Sequence, residues 1–259
     1  MLVNWIEVTD RPQGDLPFSV VDALATDALG SEEMAHLVQL LESARISADV
    51  RDRLLARAGW EAFDERAGRH PTVAGQRGEW GEAFLYGLLE ELRELIVPVK
   101  KLRFKLARGQ FQPGTDIVAF RMDEEDLIEV AYFECKLSTY VDNSLAHQAY
   151  EQLLEDSRLS FADILGFMDQ VLAQSQSAIA LAFRDFLTSR QTRPADETFH
   201  VALIFDETVW REKCLTNLAE EDIELAPLEV VACRLRSLAE MVEACYGALD
   251  VAPEEEGQG

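Results

Sequence analysis

The stretch PGTDIVAFRMDEEDLIEVAYFECKLSTY, residues 113–140, decides the fold of this chain. Its apolar residues form two runs, TDIVAF at 115–120 and LIEVAYFECKL at 127–137, joined by the charged connection RMDEED. Short apolar runs bounded by turn residues predict β-strands, and the connection predicts a hairpin. Asp116, Glu134 and Lys136 are therefore charged residues within strands that otherwise favour burial.

The charged residues of the second run share one side of its predicted strand. Side chains at i and i+2 point to the same face, so Glu134 and Lys136 lie together and Cys135 lies opposite. In a hairpin Asp116 approaches the Glu134 end, where two carboxylates repel each other and burial raises the cost. A divalent cation removes that cost, and oxygen ligands of this kind suit Mg²⁺ or Mn²⁺. The group predicts metal-assisted phosphodiester hydrolysis, with Lys136 orienting water or neutralising phosphate charge.

The competing interpretation is a solvated strand face, because edge strands keep charge outward and 28% of the chain is charged. Three coincidences favour the catalytic interpretation. Apolar residues cover the other face of the strand, Asp116 opens the strand before it, and the amphipathic helix GEWGEAFLYGLLEELREL, which carries glutamates, precedes both.

The elements on either side predict an α/β chain with α+β character. Residues 15–70 are expected to be helical, with one helix capped by Ser31 and another by Ser47. VPVKKLRFKL at 97–106 alternates like a strand, and FHVALIF at 199–205 and LEVVACRL at 228–235 follow as strands between helices. We expect a mixed sheet with an antiparallel three-strand meander flanked by helices.

The domain organisation follows from composition. The 259 residues are enough for one large domain. A loop rich in Gly, Pro and basic residues marks a boundary, so we expect a mainly helical region over 1–72, a core domain over 73–252 and a disordered acidic tail over 253–259.

The chain is strongly acidic, with 24 Lys and Arg against 48 Asp and Glu, a net charge of −24. This balance disfavours loose adhesion to nucleic acid or anionic lipid but permits a local basic groove. One basic cluster either contacts phosphates or forms a solvated strand face, and both interpretations stay open. Its members are Lys100, Lys101, Arg103, Lys105 and Arg108.

The N-terminus has no signal-peptide pattern, and the apolar runs are too short to cross a bilayer. The four cysteines are scattered without a zinc pattern, which indicates reduced thiols. These features predict a cytoplasmic protein without a membrane partner.

Three motifs resemble those of the PD-(D/E)XK nuclease superfamily: Gly78-Glu79-Trp80-Gly81-Glu82 opening a helix, Gly114-Thr115-Asp116, and Glu134-Cys135-Lys136. The resemblance implies a restriction-endonuclease-like core in which Asp116, Glu134 and the backbone carbonyl of Cys135 bind Mg²⁺ or Mn²⁺. Lys136 would be the catalytic lysine. Gly-x-Asp replaces the Pro-Asp form and is a common variant.

The same resemblance implies that a helix glutamate completes the site. Glu82 matches best, and Glu79 is the alternative. For Glu79 the competing explanation is an acid in the first turn of a helix, where it complements the helix dipole.

The overall arrangement, from roughly residue 15 onward, resembles the HamA-type nuclease subunits of the Hachiman antiphage defence system. That resemblance implies DNA as substrate and a superfamily-2 helicase subunit (HamB-like) as the partner that restrains the nuclease. Two further hypotheses stay open: a restriction or repair nuclease that acts without a helicase, and a catalytically silent interaction module.

Overall fold

The computed structural model describes residues 1–12, 14–27, 29–47, 50–53, 56, 70–104, 114–124, 126–159, 161–173, 177–189 and 196–249. Six strands in this part of the chain form one sheet: β1 Ile6–Asp10, β2 Ser19–Ala25, β3 Ile117–Asp123, β4 Asp126–Ser138, β5 Asp196–Asp206 and β6 Leu228–Leu235. The helices are α1 Ser31–Arg45, α2 Val73–Leu92, α3 Leu145–Leu159, α4 Phe161–Leu172, α5 Ala178–Ser189, α6 Lys213–Ala219 and α7 Leu238–Leu249. Two 3₁₀ helices cover Leu2–Asn4 and Lys101–Phe104.

The sheet is mixed, with strand order β1-β2-β6-β5-β4-β3. The four inner strands run parallel, and β1 and β3 pair antiparallel with their neighbours. Strands covered on both faces need apolar side chains on both, which explains why residues 201–205 of β5 are all buried.

Helices cover both faces of this sheet, so the molecule has two hydrophobic layers. One contains side chains of α1, α2 and α7, including Leu41, Trp80 and Tyr246. The other contains side chains of α3 to α6, including Leu153 and Phe183. The predicted mixed sheet flanked by helices is confirmed.

The hairpin and both later strands are confirmed as β3, β4, β5 and β6, but the strand predicted at 97–106 is wrong over its described residues. Ile96 forms a single bridge with Phe120, and the chain then turns into the 3₁₀ helix at Lys101–Phe104. Leu102 is buried in the hydrophobic layer of α1, α2 and α7, whereas Phe104 packs against Phe167 in the layer of α3 to α6. The alternation of apolar and basic residues in the sequence therefore arises without a strand. β3 and β4 therefore form a two-stranded antiparallel hairpin instead of the predicted three-strand meander.

The helix predicted from Ser31 is confirmed as α1, although Gly30 occupies the N-cap position. The helical prediction is wrong at 19–25, because SVVDALA forms β2 and pairs parallel with β6. Leu54, Leu55 and Ala58 of the helix predicted after Ser47, and the predicted tail at 253–259, lie outside the described residues. The boundary at residue 72 stays a prediction, although β1 and β2 belong to the common sheet.

None of the helices in the described part of the chain has the length and apolar character required to span a bilayer.

Candidate active site

The hairpin brings the predicted acids together at one end of β3 and β4. Ile117 pairs with Phe133, so Asp116 comes opposite Glu134 at the next position. The Asp116 Oδ2 atom accepts a hydrogen bond of 2.9 Å from the backbone N–H of Cys135. The Asp116 carboxylate therefore lies against the peptide that follows Glu134.

Glu134 is the most buried of the three charged residues Asp116, Glu134 and Lys136, with only 3% of the residue exposed. Its Oε1 atom accepts a hydrogen bond of 2.7 Å from the Lys136 ammonium, while its Oε2 atom is buried without a hydrogen-bond partner. Burial and the neighbouring Asp116 raise the pKa of Glu134 to about 8, against the opposing effect of Lys136. A buried carboxylate oxygen without a partner costs free energy, which a bound cation would recover.

Side-chain alternation places Asp116, Glu134 and Lys136 on one face of the sheet. Along both strands, alternate residues belong to opposite hydrophobic layers: Phe133 packs with α1, α2 and α7, and Tyr132 with α3 to α6. Because every second residue of a strand points to the same face, Asp116, Glu134 and Lys136 lie on the face that α3 covers. Cys135 takes the opposite face, as predicted.

Helix α2 packs closely against the Cys135 side of β4. An ideal Cβ atom built on Gly81 would lie 3.4 Å from the Cys135 Sγ atom. The absence of a side chain at Gly81 lets the helix approach the strand and brings Glu82 near Cys135. Glu82 raises the pKa of the Cys135 thiol, although burial is the largest cause and Asp116 the next.

The structure separates the two candidate helix glutamates. Glu79 is buried, and its Oε2 atom accepts a hydrogen bond of 3.0 Å from the Tyr246 hydroxyl and lies 3.4 Å from Arg45 Nε. Helix α2 begins at Val73, so Glu79 is not in its first turn and the dipole explanation is wrong. Glu79 instead joins α1, α2 and α7 as a buried ion pair.

Glu82 is half-buried, and its Oε2 atom accepts a 3.5 Å hydrogen bond from Tyr86. Burial is the main cause of the raised pKa of Tyr86, and the charges of Glu82 and Asp116 add to it. Glu82 therefore shares an electrostatic neighbourhood with Asp116. It reaches that neighbourhood from the α2 side of the sheet.

The described members of the basic cluster make contacts within the protein. Lys100 pairs with Glu90 at 3.1 Å and lies over the Tyr86 ring. Lys101 donates to backbone carbonyls of residues 114 and 115, and Arg103 donates to the carbonyl of Ser43. Lys105 and Arg108 lie outside the described residues. Phosphate binding by this cluster stays a prediction.

Asp156 is a site residue that the sequence analysis missed. It is 7% exposed on α3, the helix that covers the Glu134 face, and it raises the pKa of Glu134 after the larger effects of burial and Asp116. Burial raises the pKa of Asp156 itself, Gln152 and Lys101 lower it, and Asp116 raises it. A signal was present, since Ala149, Leu153 and Asp156 follow helical spacing along one stripe of α3.

In the described residues, no three His, Cys, Asp or Glu side chains converge closely enough to hold a metal ion on their own. The predicted ligand set comprises three carboxylates, those of Asp116, Glu134 and Glu82, and the backbone carbonyl of Cys135, and it stays a prediction. Mg²⁺ commonly keeps several waters and needs only one or two carboxylates.

The family model HamA matches residues 15–249, which include β2 to β6 and the residues Asp116, Glu134 and Lys136. No curated protein matches the chain. The match spans most of the sequence and names the family that the sequence motifs resemble. The chain therefore belongs to the HamA family of the Hachiman antiphage defence system.

Proposed function

We propose that the protein is a metal-dependent DNA nuclease and the effector subunit of a Hachiman system. The observation that carries this proposal is the state of the buried Glu134 carboxylate beside Asp116. One of its oxygens accepts a hydrogen bond from Lys136, and the other has no hydrogen-bond partner. A fold that needed only a stable strand would place an apolar residue at this position.

Asp116, Glu134 and the Cys135 carbonyl would hold Mg²⁺ or Mn²⁺. When bound, the metal supplies Lewis acidity toward the phosphate and lowers the pKa of a coordinated water. The Lys136 ammonium, fixed by Glu134, orients the attacking water or neutralises charge on the phosphate. Burial strengthens these interactions by excluding water. Glu82 on α2 and Asp156 on α3 add negative charge near the metal-binding residues, each from a different face of the sheet.

We further propose a superfamily-2 helicase subunit (HamB-like) as partner and the cytoplasm as the place of action. Family membership supports the defence role. The net charge of −24 supports a partner that delivers DNA, because the protein's own field repels a polyanion.

The test compares plasmid cleavage by the wild type, Glu134→Gln and Lys136→Ala, in Mg²⁺ and in EDTA, with and without the helicase subunit. Lys213→Ala, at an exposed lysine of α6, is the matched control. Mg²⁺-dependent cleavage that only the two site variants lose is the expected result. Cleavage unaffected by the helicase would favour a restriction or repair nuclease. A folded wild type that cuts no DNA under any condition would favour the silent interaction module.

A further inference from the structure

We infer that Lys101 is a positioning residue of this site, which fixes the backbone ahead of Asp116 and thereby the metal-binding carboxylate. The inference rests on the proposed function. It differs from the sequence-based prediction that Lys101 contacts DNA phosphates, and the two make opposite experimental predictions.

The Lys101 ammonium donates two hydrogen bonds to consecutive peptide groups, one of 2.6 Å to the carbonyl of Gly114 and one of 2.8 Å to the carbonyl of Thr115. In an extended strand successive carbonyls point to opposite sides, so a single ammonium does not reach both. Gly114 has φ of 88°, a conformation that glycine adopts readily. This turn directs both carbonyls to Lys101.

The two peptide groups that Lys101 binds, called the Lys101 clamp below, immediately precede Asp116. On the other side of Asp116, Ile117 is paired with Phe133 in the sheet. The Asp116 backbone is therefore fixed from both directions, and its carboxylate reaches the Cys135 N–H group from that fixed position. Loss of the clamp would free the peptide on one side only and would leave the β3–β4 pairing intact.

The short 3₁₀ helix that carries Lys101 is itself held by contacts with other elements. Leu102 is buried, and the Arg103 guanidinium donates bonds of 2.8 and 2.6 Å to the Ser43 carbonyl at the end of α1. Phe104 of the same short helix packs edge-on against Phe167 of α4. A short helix held by two neighbouring helices gives the flexible lysine side chain a fixed origin.

The charge of Lys101 also acts on one acid of the site, Asp156. It favours the ionised form of Asp156, opposite to the effect of Asp116 on the same group. Lys101 thus acts on Asp116 through backbone geometry and on Asp156 as a nearby cation.

The test replaces Lys101 by Met, which keeps the length of the side chain and removes its donor and charge. Lys213→Met is the matched control. Amide hydrogen exchange of the peptide 114–122 reports the backbone, and Mn²⁺ titration of DNA-free protein reports the site. DNA binding at several salt concentrations, in a Lys136→Ala background, reports phosphate contacts.

We expect faster exchange at the 115–116 end of the peptide 114–122, about tenfold weaker Mn²⁺ binding and an unchanged salt slope. Groups that support metal ligands change metal affinity by about 10–100-fold. A salt slope reduced by about 1, with exchange and Mn²⁺ binding unchanged, would overturn the inference in favour of a phosphate contact. Faster exchange without weaker Mn²⁺ binding would also overturn it. If the wild type itself binds no Mn²⁺, the metal site and the proposed function fail, which is distinct from a failure of Lys101 alone.

Discussion

The ammonium of Lys136 lies 2.7 Å from the carboxylate of Glu134, two residues back along the same strand. This pair occupies one face of a strand whose other face is packed against α2. The charges are consequently placed by the pleat of β4 itself, and single substitutions should change chemistry without changing the fold.

Glu134→Gln should lower DNA cleavage by about 100-fold or more, because the amide cannot supply a charged ligand oxygen. Thermal unfolding in EDTA should occur at the same or a higher temperature, since the change removes a buried carboxylate that repels Asp116. Plasmid cleavage and calorimetry measure the two effects. Glu155→Gln, at an exposed acid of α3, is the control. A large loss of stability together with activity would contradict this prediction.

Asp156→Asn should weaken cleavage by about 10-fold, because it removes a negative charge that acts on Asp116 and Glu134. Mg²⁺ titration of the cleavage rate should show a higher half-saturating concentration. The adjacent Glu155→Gln change should leave that concentration unchanged. Equal titration curves for Asp156→Asn and wild type would exclude Asp156 from the site.

Two glycines of α2 should respond in opposite directions. Gly78→Ala should raise the free energy of unfolding by about 0.5–1 kcal/mol, because alanine favours helices and, among the described residues beyond the helix's own backbone, no atom lies within 4 Å of the new methyl group. Gly81→Val should lower the free energy of unfolding by about 1–3 kcal/mol and reduce cleavage, because the added methyl groups meet Cys135 of β4 and Ile204 of β5. Urea unfolding measures both. A neutral Gly81→Val would show that α2 does not need this close approach.

Glu229→Gln should destabilise the protein by about 1.5–3 kcal/mol at neutral pH. The Glu229 carboxylate contacts His200 Nδ1 at 3.1 Å and accepts a bond of 2.8 Å from Arg93. Burial raises the pKa of Glu229, but His200 and Arg93 outweigh it and the net pKa is lowered.

The stabilisation from Glu229 is therefore full above the ordinary glutamate pKa and disappears as the pH falls through the lowered value. Unfolding of the wild type and Glu229→Gln should be compared between neutral pH and about pH 3. Their difference should shrink toward the acid end. A difference that is constant with pH would contradict the assigned ionic role.

The hairpin and the Asp116–Glu134–Lys136 group could be predicted because their signals are local. Alternation along β4 sets the faces, and a short connection sets the pairing. The 3₁₀ helix at Lys101–Phe104 could not, because its alternating pattern arises from contacts with α1, α4 and the 114–115 peptides, all distant in sequence. The same holds for Asp156, whose role depends on α3 covering β4.

The first strands were missed for a related physical reason. SVVDALA at 19–25 pairs on one side with the short strand β1 and on the other with β6, which lies near the far end of the described chain. Its preference for a strand is expressed only when that partner is present.

The pairing of β2 with β6 has a consequence for synthesis. The Ser19 hydroxyl bonds to the carbonyl of Leu228, 209 positions away, so the sheet cannot close until almost all of the described chain has left the ribosome. Contacts of such long range slow folding, and until they form β6 remains an unprotected edge. The sheet would thus be completed only after its last strand in sequence has been synthesised.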